Sequence, residues 1–299
     1  MSANGAKPVI GFIGLGIMGK PMARNLLRAG YPLVAHSRGR AAVDELQKDG
    51  AKAAGSPKEV AEQSDVIITM LPDSPDVEEV VLGKNGVALG IKNGAIYVDM
   101  STIAPASARR VADAVQKKGA KALDAPVSGG EKGAIEATLS IMVGGAQETF
   151  DAVLPIFQTL GKNIVLVGGN GAGQIAKAAN QLVVGVTIEA VAEALALAQA
   201  AGVDPAKVRS VLLGGFAQSK ILDMHGQRML DGNFQPGFKA RLHQKDMRIV
   251  TQAAQQAGVD APAAQLALDR LTKLVDGGGG EKDHSALRTL ISAKEPANR

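Results

Sequence analysis

The sequence contains no cysteine and no tryptophan, and aromatic residues fill only 3% of its 299 positions. Without a thiol there is no disulfide, no cysteine nucleophile and no Cys-ligated zinc, which fits a reducing compartment. With two tyrosines and six phenylalanines, the core has to be packed from aliphatic side chains. Basic residues are scattered, no stretch interleaves Lys and Arg with aromatics, and the formal charge is only +4. Nucleic-acid binding therefore has no electrostatic footprint. The apolar stretch at residues 9–18 is interrupted by Gly11, Gly14 and Gly16, and no small-residue cleavage site follows, so it does not read as a leader. The longer run at residues 182–197 carries Glu189 and Glu193, which suits a buried helix and not a membrane span. A soluble cytoplasmic protein without a membrane partner is the expectation.

What is present points to order. Apolar residues make up 46% and charged residues 21%, the balance of a globular protein, and the length suffices for two domains. Short β-branched runs at residues 9–13, 33–35, 66–70, 96–99, 139–143 and 164–167 read as buried strands. Between them, residues 21–28, 41–48, 107–117 and 148–160 have helical spacing, and Ser56-Pro57-Lys58-Glu59 reads as a capping-box helix start. Such alternation implies an α/β architecture, a Rossmann-type doubly wound and mostly parallel sheet over residues 1–169. After Gly169 the strand pattern stops. One helix about 40 Å long is expected over residues 172–200, bridging to an all-α domain over residues 170–299. Asp204-Pro205 starts a further helix, residues 246–256 and 262–275 look helical, residues 277–280 read as a flexible glycine loop, and a last helix begins around His284.

Gly14-Leu15-Gly16-Ile17-Met18-Gly19 is a G-x-G-x-x-G pattern between an expected strand and an expected helix. The first glycine permits a tight turn, the second lets a pyrophosphate approach the backbone, and the third packs helix on strand, with helix-start amides facing the negative charge. A dinucleotide site follows. About 20 residues on, where NAD enzymes place an acid for the ribose 2′-hydroxyl, the chain reads Ala35-His36-Ser37-Arg38-Gly39-Arg40. Ser37 can bond a phosphate while Arg38 and Arg40 neutralise it, so NADP(H) is expected over NAD(H), with NAD(H) still possible. Met70-Leu71-Pro72 should border the nicotinamide half, and Asp99-Met100-Ser101-Thr102 ends another strand where hydroxyls can meet ribose or pyrophosphate.

The chemistry-bearing residues come later. Ser128-Gly129-Gly130 follows Pro126 in an expected loop, offering a small hydroxyl and unobstructed amides to a carboxylate or hydroxyl. Gly173, Lys177 and Gln181 recur at helical spacing, with Asn180 one turn after the lysine, so all four share a helix face. A lysine there can snorkel to solvent, or its ammonium can protonate the alkoxide formed when hydride reaches a carbonyl carbon. His36, His225, His243 and His284 form no metal-like pair, so no metal is expected. His36 falls in the cofactor-specificity loop, and His243 and His284 either border the site or, the favoured expectation, stand at solvated positions.

Taken together, G-F-I-G-L-G-I-M-G-K-P-M from Gly11, D-A-P-V-S-G-G from Asp124, G-x-x-x-K-x-x-N from Gly173, F-Q-P-G-F-K-A-R-L-H-Q-K-D from Phe234 and D-H-S-A-L from Asp283 resemble the β-hydroxyacid dehydrogenase family, over nearly the whole length. The resemblance implies an NAD(P)-dependent oxidoreductase acting on a short aldehyde or hydroxy acid. In it Lys177 is the catalytic acid/base, Ser128, Gly129 and Gly130 hold the substrate, Asn180 assists, and Lys245 reaches the cofactor from the helical domain. Family members often carry a second Asn four residues after the lysine. Gln181 stands there instead, so either Asn180 or Gln181 is left as the substrate contact. A homodimer or homotetramer is implied as well. The contrasting expectation from another class is a dinucleotide-sensing module without turnover.

Overall fold

The computed structural model describes residues 7–291. Contacts divide the chain after Lys177 into two compact units.

The first unit alternates strand and helix: β1 (Ile10–Ile13), α1 (Gly19–Arg28), β2 (Leu33–His36), α2 (Arg40–Lys48), β3 (Lys52–Ala53), α3 (Pro57–Gln63), β4 (Val66–Thr69), α4 (Ser74–Leu82), β5 (Ile96–Asp99), α5 (Pro105–Gln116), β6 (Lys121–Asp124), β7 (Val127–Ser128), α6 (Gly130–Glu136), β8 (Leu139–Gly145), α7 (Gln147–Gln158) and β9 (Gly161–Gly168). The strands lie in the order β3-β2-β1-β4-β5-β6-β8-β7, with β9 also paired to β8. β1 to β6 are mutually parallel, β8 runs antiparallel to β6 and β7, and β9 lies parallel to β8. The mostly parallel, doubly wound sheet is therefore present.

Alternation along the strands explains its two cores. Ile10 and Phe12 of β1 and Val66 and Ile68 of β4 pack on one face. Ile13 and Ile67 pack on the other with Tyr97. Successive side chains point to opposite faces, and helices cover both, so every residue of β1 and β4 is buried. The order reverses at β1, which has β2 on one side and β4 on the other. Ligands of such sheets bind in the crevice beyond the strand C-termini at that switch. The cap is realised in a shifted form: Ser56 Oγ accepts from Glu59 N at 3.2 Å, while Glu59 Oε2 accepts from Gly55 N, one residue before the cap, at 2.8 Å.

α8 (Ala172–Ala200) begins in the first unit and continues into the second, which adds α9 (Pro205–Leu213), α10 (Lys220–Asp231), α11 (Ala240–Gln256) and α12 (Pro262–Leu274), then a short helical turn at His284–Leu290. Ile188, Ala192 and Leu195 of α8 pack with Met247 and Val250 of α11 and Leu271 of α12. By length and composition alone α8 could cross a membrane. Its buried Glu189, however, accepts a 2.5 Å hydrogen bond from Arg270 Nε of α12, as expected of a core helix in a helical bundle. Burial pushes the Glu189 carboxyl up, opposed by Arg270.

Two local expectations are corrected. Residues 277–280 are not a loose loop: the wide helical turn Val275–Gly279 buries Gly279, and Gly280 O accepts from Arg241 N at 3.1 Å. Ser128 lies on β7 opposite Ser140 of β8, not in a free loop. β6 and β7 escape the sequence pattern because four- and two-residue strands interrupted by Pro126 offer too little alternation.

Candidate active site

The cofactor end is built around the turn from β1 to α1. Gly14 has φ +99°, and a methyl group there would stand 2.3 Å from Met70 O. One at Gly19 would stand 1.9 Å from Gly14 O. Both positions therefore need glycine, the first for backbone conformation and the second for helix-on-strand contact. A methyl at Gly16 would meet nothing within 4 Å, which leaves the backbone open to a ligand. α1 carries no side-chain cap at Met18 and no acid in its first turn. Its positive end is thus left for an outside anion, and these residues fit a dinucleotide pyrophosphate. Leu15 buries its side chain in the core while Ile17 is exposed, so only their main chains can serve the phosphates.

At the end of β2 the arginines are exposed. Arg40 bonds Asp44 at 2.7 Å on its own helix, and Arg38 lies 3.4 Å from Asp76. Ser37 is half-buried. The His36 ring meets Ala54 O at 3.0 Å, which ties the loop to its neighbour. No carboxylate occurs between positions 35 and 40.

The ends of β4 and β5 are locked together. Leu71 N donates to Ser101 Oγ at 2.8 Å, Ser101 N donates to Asp99 Oδ1 at 3.1 Å, and Thr69 Oγ1 donates to the same oxygen at 2.8 Å. Burial lifts the Asp99 carboxyl to about 6, against these bonds, with Asp124 adding a smaller push. Tyr97, buried beside it, is likewise driven well above its ordinary value by burial. The hydroxyl of the buried Ser101 accepts from Leu71 N, whereas Thr102, the other residue expected to offer a hydroxyl to the cofactor, is half-buried beyond it. Met70 and Leu71 are half-buried and Pro72 is exposed beyond them.

The residues singled out for chemistry lie on β7, on the turn from β7 into α6, and on α8, whose first turn rests on the ends of β6 and β8. Asp124, at the end of β6, accepts from Gly171 N at 2.6 Å and Gln174 N at 2.9 Å. A carboxylate at a helix N-terminus complements the helix dipole, and burial of Asp124 raises its carboxyl in spite of these bonds. Lys177 follows one turn on, with its side chain buried. Ser128, Gly129 and Gly130 turn from β7 into α6, the two glycines at φ +137° and +62°.

Farther along α8, Asn180 and Gln181 differ. Gln181 Nε2 donates to Asp246 Oδ2 at 2.6 Å, and Asp246 Oδ1 pairs with Lys245 Nζ at 2.8 Å. The Asn180 Oδ1 atom is buried without a hydrogen-bond donor. Gln181, Asp246 and Lys245 thus form a network within the helical unit, while Asn180 keeps an acceptor available.

The histidines correct the sequence reading: His243 and His284 are buried, not solvated. His284 Nδ1 lies 3.0 Å from His243 Nδ1, His284 Nε2 lies 3.2 Å from His225 Nε2, and His225 Nδ1 lies 3.5 Å from Asp283 Oδ1. Burial drives His284 well below its ordinary value, helped by its histidine neighbours. Among the described residues His225, Asp283 and His284 bring potential metal-ligating atoms within 4.8 Å of one another. The donor chemistry fits a metal poorly. Asp283 already accepts from Gly237 N, Phe238 N, Ser285 N and Ser285 Oγ, and Arg228 stands 3.6 Å away. Sequence spacing missed this cluster because His225 and His243 lie about 40 to 60 residues before Asp283 and His284. Gln174 and Asp99 were missed as well.

Residues 9–169 match the family described as the NAD binding domain of 6-phosphogluconate dehydrogenase, and residues 171–291 match the one described as NAD-binding of NADP-dependent 3-hydroxyisobutyrate dehydrogenase. The chain is 50% identical over 278 residues to 2-hydroxy-3-oxopropionate reductase of Escherichia coli K12, covering 93% of this chain and 95% of that protein. It is 38% identical to NAD-dependent L-serine dehydrogenase of Pseudomonas aeruginosa, over 94% of this chain and 97% of that one. Among solved structures, Mycobacterium tuberculosis 3-hydroxyisobutyrate dehydrogenase with L-serine superposes with a TM-score of 0.87 at 32% identity, covering 96% of this chain and all (100%) of that one.

Proposed function

Because the chain belongs to the β-hydroxyacid dehydrogenase family and is an NAD(P)-dependent oxidoreductase of hydroxy acids, we propose that it reduces tartronate semialdehyde (2-hydroxy-3-oxopropanoate) to D-glycerate. The observation that carries this substrate is the 50% identity, over 93% of the chain, to the reductase of that compound. A nicotinamide dinucleotide held at Gly14, Gly16 and Gly19 would supply the hydride that the aldehyde carbon takes up. Lys177 Nζ gives its proton to the aldehyde oxygen as the carbonyl π bond opens, and then regains one from solvent. Ser128 with the amides of Gly129 and Gly130 receives the carboxylate and hydroxyl, fixing which carbon faces the hydride. Asn180 takes the substrate contact left open by the sequence, since its buried Oδ1 has no donor whereas Gln181 is committed to Asp246.

NADPH is the favoured cofactor. No carboxylate stands at the end of β2 to bind a ribose hydroxyl, and the exposed Arg38 and Arg40 can turn with Ser37 to a 2′-phosphate. Lys245 is assigned to the cofactor by family resemblance. A homodimer or homotetramer in the cytoplasm is the expected form, and exposed Val183, Leu197 and Phe216 of the helical unit supply apolar surface for assembly. The readings kept beside this one are another short acid, namely 3-hydroxyisobutyrate, succinic semialdehyde or threonate, with L-serine added by a relative, and a dinucleotide sensor without turnover.

The test is an initial-rate panel of short aldehyde acids with NADPH and NADH, run with 3-hydroxyisobutyrate and L-serine in the oxidative direction. Highest kcat/KM with tartronate semialdehyde and NADPH is expected. Lys177→Ala should lower kcat by about 10²–10⁴-fold with cofactor affinity kept. Faster turnover of another acid, or near-normal kcat in that variant, overturns the substrate or the proton donor respectively.

A further inference from the structure

Gln174, on the first turn of α8, is a polar side chain with only 1% of its surface exposed, and it has no part in the chemistry above. Its carboxamide does two things at once. Oε1 accepts from Ile103 N at 3.1 Å, and Nε2 donates to Ser101 O at 2.8 Å. Those two backbone groups belong to the peptide planes on either side of Thr102. One amide thus fixes both planes, and with them the direction in which Thr102 presents its hydroxyl.

We propose that Gln174 is a positioning residue that holds the Thr102 cofactor loop in register with Lys177. The inference rests on the roles given above to Thr102 and Lys177. Lys177 lies three residues farther along the same helix, so the two share a rigid element. The helix is itself fixed at this point: Gln174 N and Gly171 N both donate to the Asp124 carboxylate. A methyl at Gly173 would stand 2.6 Å from Asp124 O, so the helix lies directly on the end of β6. The loop is fixed from the opposite side, where Ser101 N and Oγ are bonded to Asp99 and to Leu71 N. Hydrogen bonds thus run from the end of β4 through Ser101 and Gln174 to the helix that carries the lysine.

A glutamine is the side chain that meets both demands, since the site needs one donor and one acceptor at its tip. Leucine supplies neither. An ionised glutamate accepts from Ile103 N but sets a negative oxygen against Ser101 O, whereas a protonated one restores both bonds. Asp124 and Asp99 lie on the neighbouring strand ends and Lys177 one turn away. Burial and the two carboxyls favour the protonated form of an introduced acid, and the lysine opposes them.

The experiment compares Gln174→Leu and Gln174→Glu with wild type, measuring kcat, KM for NADPH and aldehyde acid, NADPH binding by fluorescence, and thermal midpoint, from pH 5.5 to 8.5. Gln174→Leu should lose about tenfold to a hundredfold in kcat, with weaker NADPH binding, by a pH-independent factor. Gln174→Glu should approach wild type as pH falls and fall away as pH rises, a dependence that lost packing alone does not produce. Wild-type kcat and NADPH affinity in a folded Gln174→Leu protein overturn the proposal. So does an identical, pH-independent loss in both variants. If the wild-type enzyme prefers a different acid, the substrate assignment fails, while NADPH affinity and its pH dependence still decide the role of Gln174.

Discussion

Each unit buries an aspartate, and the two behave in opposite ways. Asp99 of the nucleotide unit has one oxygen bonded to Ser101 N and Thr69 Oγ1 while the other, Oδ2, is buried without a donor. Burial prevails, and its carboxyl rises to about 6. Asp283 of the helical unit is buried just as fully, and that burial is the largest single influence on it, yet its carboxyl is held well below the ordinary range by His225, by the nearby His284 and by Ser285. Gly237 N and Phe238 N bond its other oxygen. The lesson is that depth does not set the charge of a buried acid; the number of donors turned toward it does.

The largest effect that would sharpen this comparison comes from removing a partner while leaving the charge. Arg270→Ala strands Glu189 in the helical core and should cost about 3–5 kcal/mol, read by urea unfolding, whereas the pair Glu189→Gln with Arg270→Met should recover much of the loss. An Arg270→Ala protein as stable as wild type would mean the ion pair is idle. Next, Asp283→Asn should cost about 2–3 kcal/mol at pH 7. Because the folded carboxyl lies below its unfolded value near 3.9, its contribution is present above about pH 4 and is lost as pH falls further. The variant should therefore show a smaller acid-induced drop in Tm than wild type. An equal drop in both proteins contradicts this.

Asp99 carries the opposite sign. The folded chain keeps a proton there up to about pH 6, whereas the unfolded chain releases it near pH 4. Stability is lost as pH rises through that window, and the deficit persists above it. Asp99→Asn should then raise stability by about 1–2 kcal/mol at pH 8 and by little at pH 5, measured by Tm at the two values. A lower Tm at pH 8 would show that the carboxylate is needed. Smallest of all, zinc at equimolar concentration should leave Tm unchanged, because the hydrogen-bonding capacity of Asp283 is already filled and Arg228 repels a cation. A clear rise would place a metal at His225, Asp283 and His284.

What the sequence discloses follows from how local the physics is. Gly14, Gly16 and Gly19 are legible because a strand, a turn and a helix start occupy a dozen consecutive residues. Ser56 and Glu59 are legible because a capping box spans four. Lys177 is legible because Gly173, Asn180 and Gln181 recur with it at helical spacing. The short strands at Lys121–Asp124 and Val127–Ser128 are set by pairing with β5 and β8, which no local pattern reports. Gln174 reads as an ordinary helix residue until the loop at Ser101–Ile103, some 70 residues earlier, is folded against it. The buried histidines fail for the same reason, since His225, His243 and His284 meet only through tertiary packing of α10, α11 and the chain after α12.

The pairing of Glu189 with Arg270 also bears on biosynthesis. The acid leaves the ribosome 81 residues before the base that compensates it, so a long greasy rod with a buried-to-be carboxylate in its middle must wait for its partner. During that interval the nascent chain offers chaperones and insertion machinery the same profile as a bilayer span. Only when the last third of the polypeptide has emerged can the rod be sheathed.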